Sequence, residues 1–280
     1  MHADRFAVGI GLPIVQQVPT QAQAWEAAAG PAEILRVARA AERAGFAWVT
    51  CSDHVAVPAS HAASMGATWY EPATTLAYVA AATERIGLLS HVLVLPYRHP
   101  LQAAKLFATL DRLSGGRAIL GAGSGHLKPE FRSLGIDHAA RAALSDEYLA
   151  AIATALEQEV SSFTGTSVHW RDMHVSPRPV QQPRPPLWVG GNTPAMARRA
   201  GRLADGWIPW QLAPEAFAAG AALARAARAE RAPGLPFTVV APVAGGAVEH
   251  CAALVETLAD WRRRGATAAH LGLRHRSLDE

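Results

Sequence analysis

The chain has 280 residues, of which 50% are hydrophobic and 18% charged, and its formal net charge is +3. This length and composition are typical of a globular protein with a large core. Acidic residues are interspersed among the basic ones, and the longest basic run, Arg262–Arg264, lies at the end of a predicted helix. A cation there interacts favourably with the helix dipole, so no nucleic acid partner is expected.

The cysteines and the apolar runs indicate the cellular compartment of the protein. Cys51 and Cys251 lie far apart in apolar stretches, which predicts two buried thiols in a reducing compartment. No export signal precedes the first strand, and no apolar run reaches the ~18 residues of a membrane span. We therefore expect a cytoplasmic protein without a membrane segment.

Short apolar runs alternate with longer amphipathic segments along almost the whole chain. The runs that predict strands are Phe6–Leu12, Trp48–Cys51, Ile86–Leu95, Ala118–Ala122, Leu187–Gly190, Gly206–Trp210, Phe237–Ala241 and Ala268–Leu273. The segments that predict helices are Ala32–Ala44, Ala73–Glu84, Leu101–Leu113, Asp146–Glu157, Ala195–Ala204, Glu215–Arg231 and Ala252–Arg264. Apolar strands that alternate with helices indicate a parallel sheet covered on both faces, and eight such repeats predict a (β/α)₈ TIM barrel, with residues 1–280 as one domain.

Two irregularities interrupt this pattern. Ser161–Pro186 is long, rich in proline and not helical, which predicts an inserted loop or hairpin beside the barrel mouth. The eighth predicted strand is followed by few residues, so we expect a short or absent eighth helix. Either the barrel is partly uncovered there or another subunit covers it.

The second strand ends in polar residues. Loops that follow parallel strands gather at one end of a barrel, which makes such residues candidates for chemistry. Asp53 and His54 follow Trp48–Cys51, and an imidazole there can move a proton near neutral pH. The alternative is an aspartate that closes a turn beside an exposed histidine.

The fourth strand ends in a glycine-rich turn, Gly121–Gly125, whose backbone amides can approach a ligand closely. A tight turn needs the same residues, and the segment matches neither a phosphate-binding Walker loop nor a dinucleotide fingerprint. His126 follows it directly and is either a second proton carrier or a structural residue.

Three further segments have both a functional and a structural interpretation. Thr193-Pro194 begins a helix after a Gly-Gly turn, which favours an anion at the free amides but also describes an ordinary helix start. Arg98 ends the third strand and holds either an anion or the carbonyls of neighbouring strands. The Trp69–Pro72 turn is one wall of a substrate pocket or plain packing. No HExxH motif, Cys/His cluster or Gly-x-Ser-x-Gly elbow is present, so no metal site or serine hydrolase is expected.

In combination these motifs resemble the luciferase-like monooxygenase superfamily. The motifs are SDH after the second strand, VLVLPYRHP in the third, LGAGSG in the fourth, and WVGG followed by RAGRLADGW. Within the superfamily, the chain is most similar to the F420-dependent oxidoreductases of the short actinobacterial type. The resemblance implies a barrel that holds a flavin or deazaflavin at its carboxyl-terminal mouth.

The resemblance also implies which residues hold that cofactor. In similar proteins a non-proline cis peptide in a bulge of the third strand backs the ring, and the corresponding bond is His91–Val92. The other implied contacts are with the ring, the ribityl chain and the phosphate, in this order: Asp53 and Val94; Ser124 and Gly125; Gly191, Asn192, Ala195 and Met196.

One departure from the family limits what can be transferred. The sugar-phosphate dehydrogenases of this branch use a histidine, a tryptophan and a glutamate in catalysis. The chain has His54 at the first position, but Pro58 and His126 stand at the other two. We therefore do not expect that sugar-phosphate reaction.

The expected function is hydride transfer between coenzyme F420 and a small organic substrate. His54 and His126 would handle the accompanying proton, and Asp53 would orient the ring by hydrogen bonding. The alternatives are an FMN-dependent monooxygenase supplied with reduced flavin by a separate reductase, and a non-catalytic flavin-binding barrel. The resemblance further implies a homodimer.

Overall fold

The computed structural model describes residues 6–247 and 251–279, with the side chains of residues 245–252 and 274 outside the described part. Its strands are β1 (Ala7–Gly11), β2 (Trp48–Cys51), β3 (Gly87–Ser90), β4 (Leu93–Val94), β5 (Ala118–Gly123), β6 (Ser161–Thr164), β7 (His169–Met173), β8 (Leu187–Gly190), β9 (Gly206–Ile208), β10 (Thr238–Ala247) and β11 (Ala268–Arg274).

The helices cover the outside of these strands. They are α1 (Pro31–Ala44), α2 (Ala62–Met65), α3 (Pro72–Ala80), α4 (Pro100–Ser114), α5 (Lys128–Ser133), α6 (Arg141–Glu157), α7 (Pro194–Leu203), α8 (Pro214–Arg231) and α9 (Cys251–Arg263). Among the described helices, none combines the length and apolar character that crossing a membrane requires.

Five of these helices begin at a proline, one residue before the predicted amphipathic segment; only for α7 did the Thr193-Pro194 motif already indicate this start. Proline fits the first helical position because its φ angle is already helical and the missing N–H has no partner in the first turn. The prediction also placed the end of α3 too late: the predicted segment ends at Glu84, whereas the helix ends at Ala80. The short helices α2 and α5 were not predicted at all.

Eight parallel strands close into a barrel. Along the sheet the order is β3, β2, β1, β11, β10, β9, β8 and β5, and β5 pairs back with β3. The short strand β4 continues the third strand and pairs with β5. The prediction of a (β/α)₈ TIM barrel is thereby confirmed. The predicted third strand, Ile86–Leu95, is interrupted after Ser90, so β3 and β4 are its two parts.

The predicted insertion contains an antiparallel hairpin, formed by β6 and β7. Its return segment is held to α4 by the buried carboxylate of Asp111, which accepts hydrogen bonds from the backbone amides of Val180 and Gln181 at 2.7 and 2.9 Å. At the other end of the chain, no helix follows β11 in the described residues up to 279.

The barrel interior is filled by a cluster of buried side chains. Its members are Trp48, Leu89, Ile119, Trp188, Ile208, Val240 and Ala268. Side chains two residues apart on a strand share a face. The residues two positions after Ile119 and Trp188 are Gly121 and Gly190, and the Ser90 carbonyl and the Val92 side chain pack closely against them.

Cys51 is buried as predicted, and burial raises the pKa of its thiol to about 12. Such a thiol stays protonated at neutral pH and is a poor nucleophile. The predicted burial of the Cys251 side chain lies outside the described residues.

Replacing Asp111 with alanine should destabilise the fold strongly. The change leaves the amides of Val180 and Gln181 without their buried acceptor, which should lower the free energy of unfolding by about 3 kcal/mol in urea denaturation. Asp137→Ala is the matched control, because Asp137 is exposed and accepts from one exposed amide, that of Ala139. Equal losses for the two variants would contradict this role of Asp111.

Candidate active site at the barrel mouth

The structure brings all the predicted site residues to the carboxyl ends of four consecutive barrel strands. They are Asp53 and His54 after β2; His91, Val92 and Val94 around β4; Ser124, Gly125 and His126 after β5; and Gly191, Asn192, Ala195 and Met196 after β8. Strands β2, β3 with β4, β5 and β8 are neighbours in the barrel, so these residues form one continuous half of the mouth. We call it the cofactor half.

The bulge in the third strand lies at the centre of the cofactor half. The His91–Val92 peptide bond is cis, as the resemblance implied. The Val92 side chain packs against two glycines of neighbouring strands: a Cβ atom on Gly123 or Gly190 would lie only 2.5 or 2.7 Å from its methyl groups. These two positions therefore require glycine as long as Val92 keeps its place.

The carboxylate of Asp53 is engaged by the protein itself. It accepts hydrogen bonds from the Val94 amide at 2.9 Å and from both terminal nitrogens of Arg98 at 2.6 and 2.9 Å. Burial works to lower the pKa of Arg98, but this pairing outweighs it and raises that pKa. Arg98 thus binds a carboxylate of its own chain, and the effect of Asp53 on a bound ring would pass through Val94 and Arg98.

His54 is paired with a buried acid that the sequence did not reveal. Its Nδ1 atom lies 2.8 Å from Oε2 of Glu130, in the short helix α5. The side chains of His54 and Glu130 are only 9% and 1% exposed. At the position where relatives have a catalytic glutamate this chain has His126, as predicted. The prediction missed that Glu130, four residues further along the chain, is an acid of the same site.

The Glu130 carboxylate accepts four hydrogen bonds. Besides His54, the donors are the Tyr97 hydroxyl at 2.7 Å and the amides of Val55 and Ala56 at 2.6 and 3.1 Å. Burial works to raise the pKa of Glu130, but the hydrogen bonds from His54, Tyr97 and Ala56 outweigh it and lower that pKa. An ionised carboxylate only accepts, so His54 Nδ1 carries the proton of this bond. The Nε2 atom of a neutral His54 is then an acceptor.

Two rings flank His54. The Trp69 ring lies 4.5 Å from it, measured between centroids, and the His126 ring 5.8 Å away, both in edge-to-face arrangement. Trp69 therefore packs on the candidate proton carrier. His126 is exposed at the rim, and partial desolvation together with the nearby His54 lowers its pKa.

The segments predicted to contact the ribityl chain and the phosphate are held together by an arginine that was not predicted. Arg199 of α7 is largely buried; it donates to the Ser124 hydroxyl at 3.1 Å and its charge is paired with Asp146. At the start of the same helix, the Thr193 hydroxyl accepts from the Met196 amide at 3.3 Å. Arg199 thus joins the turn after β5 to α7.

The turn before α7 is shaped by close packing. Gly191 has a φ of 125°, and a Cβ atom there would lie 2.0 Å from the Met196 sulfur, so the position requires glycine. Asn192 is bound to the backbone of Trp210, whose amide donates to its side-chain oxygen at 2.8 Å. Asn192 therefore fixes this turn to the loop after β9.

A cavity of about 1080 Å³ occupies the opposite half of the mouth and extends outward beside α1. Residues of β1, β2, β10 and β11 line it. Of the predicted site residues only His91 reaches it. His270 of β11 also lines it, and its ring lies 4.8 Å from that of His91. Burial lowers the pKa of His91 to about 4, so its ring is neutral at physiological pH.

Sequence reasoning missed Glu130, Arg199 and His270 for different reasons. Glu130 stands in the first turn of a helix of six residues, too short to show an apolar period. Arg199 looks like the polar face of α7, and His270 is one polar residue in an apolar strand. The only usable signal was the acidic residue directly after Pro129.

Replacing Glu130 with glutamine should change how stability depends on pH. Because the folded-state pKa of Glu130 is lowered, its ionised form stabilises the fold above about pH 4.3, and this contribution is lost as the pH falls through the folded-state value. At pH 7 the free energy of unfolding of the variant should be about 3 kcal/mol lower than that of the original chain. The difference should shrink towards pH 3.

Urea denaturation at pH 7, 5, 4 and 3 measures this difference, with Glu230→Gln as an exposed control. A difference that is as large at pH 3 as at pH 7 would show that Glu130 does not act through its charge.

Comparisons with known proteins agree with this architecture. The luciferase-like monooxygenase family model matches residues 7–279. An FMNH₂-dependent dimethylsulfone monooxygenase of Pseudomonas putida is 31% identical over 174 residues, which are 61% of this chain and 46% of that protein. The chain therefore spans less than half the length of this relative.

Solved structures share the fold. Monooxygenase RslO1 from Streptomyces bottropensis has a TM-score of 0.72 at 25% identity, and the match covers 92% of this chain and 77% of that one. An F420-dependent secondary alcohol dehydrogenase, solved with an F420–acetone adduct, has a TM-score of 0.75 at 15% identity over 97% of this chain and 94% of its own. The match over nearly all described residues and the barrel geometry together place this chain in the luciferase-like monooxygenase family.

Proposed function

We propose that this chain is an oxidoreductase that moves a hydride between coenzyme F420 and a small organic substrate. The observation that carries the proposal is the buried His54–Glu130 pair at the mouth of a luciferase-like barrel. When bound, F420 supplies or accepts a hydride at C5 of its deazaflavin ring; reduction of a carbonyl then needs one proton, and oxidation of an alcohol releases one.

The residues of the cofactor half fit a flavin-like group with a phosphate. The bulge at His91–Val92 and the glycines packed against it form a side-chain-poor surface for a flat ring. The first turn of α7 offers the positive end of a helix dipole to an anion, and Arg199 holds the Ser124 turn beside that helix. Ser124, Gly125, Gly191, Asn192, Ala195 and Met196 thus remain the residues proposed to hold the tail.

The proton chemistry is assigned to His54. With Nδ1 donating to Glu130, the Nε2 atom accepts a proton from the substrate or, once protonated, donates one. Glu130 stabilises the charged ring that forms, and its four donors hold it in place. Glu130 is thus a positioning residue. His126, at the exposed rim 5.8 Å away, is proposed to pass the proton between His54 and solvent.

A monooxygenase that uses reduced FMN is the second candidate. The dimethylsulfone monooxygenase and RslO1 favour it, because they are the more similar of the reported proteins in sequence. Such an enzyme would need a separate reductase as its source of reduced flavin. The His54–Glu130 pair serves either reaction, since both move protons. The implied homodimer stays a prediction that light scattering tests.

Titrating the purified protein separately with F420 and with FMN tests the choice between them. We expect F420 to bind at micromolar concentration or tighter and FMN at least tenfold more weakly, followed by cofactor absorbance and fluorescence. Tight binding of FMN without binding of F420 would support the monooxygenase instead. Binding of neither would contradict a flavin-type cofactor in the cofactor half.

Replacing His54 with alanine should lower turnover by a factor of about 10² to 10⁴, the usual contribution of a general acid or base. The dissociation constant of F420 should change less than threefold, because the proposed tail contacts are untouched. The assay follows the oxidation of reduced F420 with the best acceptor from a panel of small ketones and enones. His169→Ala, an exposed change in the hairpin, is the control. Unchanged turnover in His54→Ala would remove this residue from the mechanism.

A further inference from the structure

The imidazole of His270 has an unsatisfied polar group beside the large cavity. The residue is 5% exposed and lies on β11, with its ring edge-to-face against that of His91. Its Nδ1 atom is buried and has no hydrogen-bond partner among the described residues. Burial, together with the neighbouring His91, holds the pKa of His270 well below its ordinary value, so the ring is neutral.

The unpartnered atom indicates which tautomer is present. A buried N–H without an acceptor is rarer in proteins than an acceptor without a donor, so the stable arrangement leaves Nδ1 as the bare lone pair. The proton then resides on Nε2. The Nε2–H group faces the cavity at Gly11. A Cβ atom there would lie 3.8 Å from both His270 Nε2 and the Thr50 hydroxyl, and because glycine has no Cβ, that space is open.

A group of uncharged residues lies around His91 and His270 in the lining of this cavity. Its members are His270, His91, Thr50, Ser52 and Trp210, which we call the His270 well.

The charged residues that line the cavity are Glu26, which is buried, and Arg36, Arg43 and Asp279, which are exposed to solvent. The Glu26 carboxylate accepts hydrogen bonds from the backbone amides of Ile14 and Gln23, and Arg36 pairs with Asp279. A carboxylate or ammonium group in the His270 well would therefore lose its hydration without gaining an opposite charge.

The well adjoins the cofactor half at His91 and at Trp210, which is bound to Asn192. His91 is the only predicted cofactor residue that lines the cavity, and it belongs to the bulge proposed to back the ring. A molecule in the well would thus lie beside the ring and would not compete with the proposed tail contacts. This position suits the reacting partner of the cofactor.

We propose that the His270 well binds the uncharged, oxygen-bearing end of the substrate, with a carbonyl, hydroxyl or ether oxygen accepting a hydrogen bond from His270 Nε2. His270 is then a residue that selects neutral substrates over anions. The assignment of the bound molecule as substrate rests on the proposed function.

Binding of a matched pair of probes to the protein without cofactor tests this proposal. The probes are cyclohexanone, which is neutral, and cyclohexanecarboxylate, which has the same ring and a negative charge. We expect cyclohexanone to bind and to shift the imidazole NMR signals of His270, and the carboxylate to bind at least tenfold more weakly. His270→Leu should weaken cyclohexanone binding about tenfold, the effect of one lost hydrogen bond. His270→Gln, which keeps a donor, should stay within about threefold of the original chain.

His169→Leu is the surface control, and circular dichroism checks that each variant is folded. If His270→Leu does not fold, two results still test the proposal. These are the shift of the His270 NMR signals on addition of cyclohexanone to the original chain, and the affinity of His270→Gln for cyclohexanone. Absence of cyclohexanone binding, tighter binding of the carboxylate, or unchanged binding in His270→Leu would overturn the proposal.

A titration of the same variant with F420 and FMN separates the two proposals. We expect unchanged cofactor affinity in His270→Leu. A loss of cofactor affinity with intact probe binding would assign His270 to the cofactor and overturn the substrate assignment. Failure of the original chain to bind F420 would count against the proposed function alone, because probe binding needs no cofactor.

Discussion

The candidate site depends on one buried carboxylate. Glu130 accepts hydrogen bonds from His54, Tyr97 and two backbone amides, and so joins the loop after β2, the end of the third strand and the helix α5. A carboxylate has about four lone-pair sites, and here all of them have a donor. Its acceptors are thus saturated inside the protein, and its proposed action is through the orientation and tautomer of His54. The neighbouring Asp53–Arg98 pair also joins the loop after β2 to the end of the third strand.

The mouth of the barrel is divided into two chemically distinct halves. One half carries the strand bulge, the His54–Glu130 pair and the amino-terminal end of α7, which suit a flat ring with an anionic tail. The other half is a large cavity whose lining includes neutral imidazoles, hydroxyls and a tryptophan. On the strands of the first half, glycines follow Ile119 and Trp188 on the same face, and the Ser90 carbonyl and the Val92 side chain pack against them.

Much of the fold could be predicted because the strands are short, apolar runs and the helices between them are amphipathic. Errors occurred where one residue type has two local interpretations: most prolines that begin helices were assigned to the loops before them, and the apolar run Ile86–Leu95 concealed the bulge. Asp53, His54 and the turn after β5 followed from barrel topology. The cis bond at His91–Val92 and the individual cofactor contacts, among them Val94 and Asn192, followed from family resemblance alone. The partners of these residues could not be predicted, since His54 and Glu130 are 76 positions apart and meet only through tertiary packing. His270 gave no signal, because its significance depends on an unpaired atom and a cavity.

The proposed chemistry requires that Glu130 hold His54 in one tautomer, with the proton on Nδ1 and a free lone pair on Nε2. ¹⁵N NMR of histidine-labelled protein at pH 8 measures this directly, with the His54 signals assigned from the His54→Ala variant. We expect a protonated Nδ1 and an unprotonated Nε2 for His54. A proton on Nε2 with a bare Nδ1 would contradict it, since a charged Glu130 has no proton to donate and the pair would then not be hydrogen-bonded.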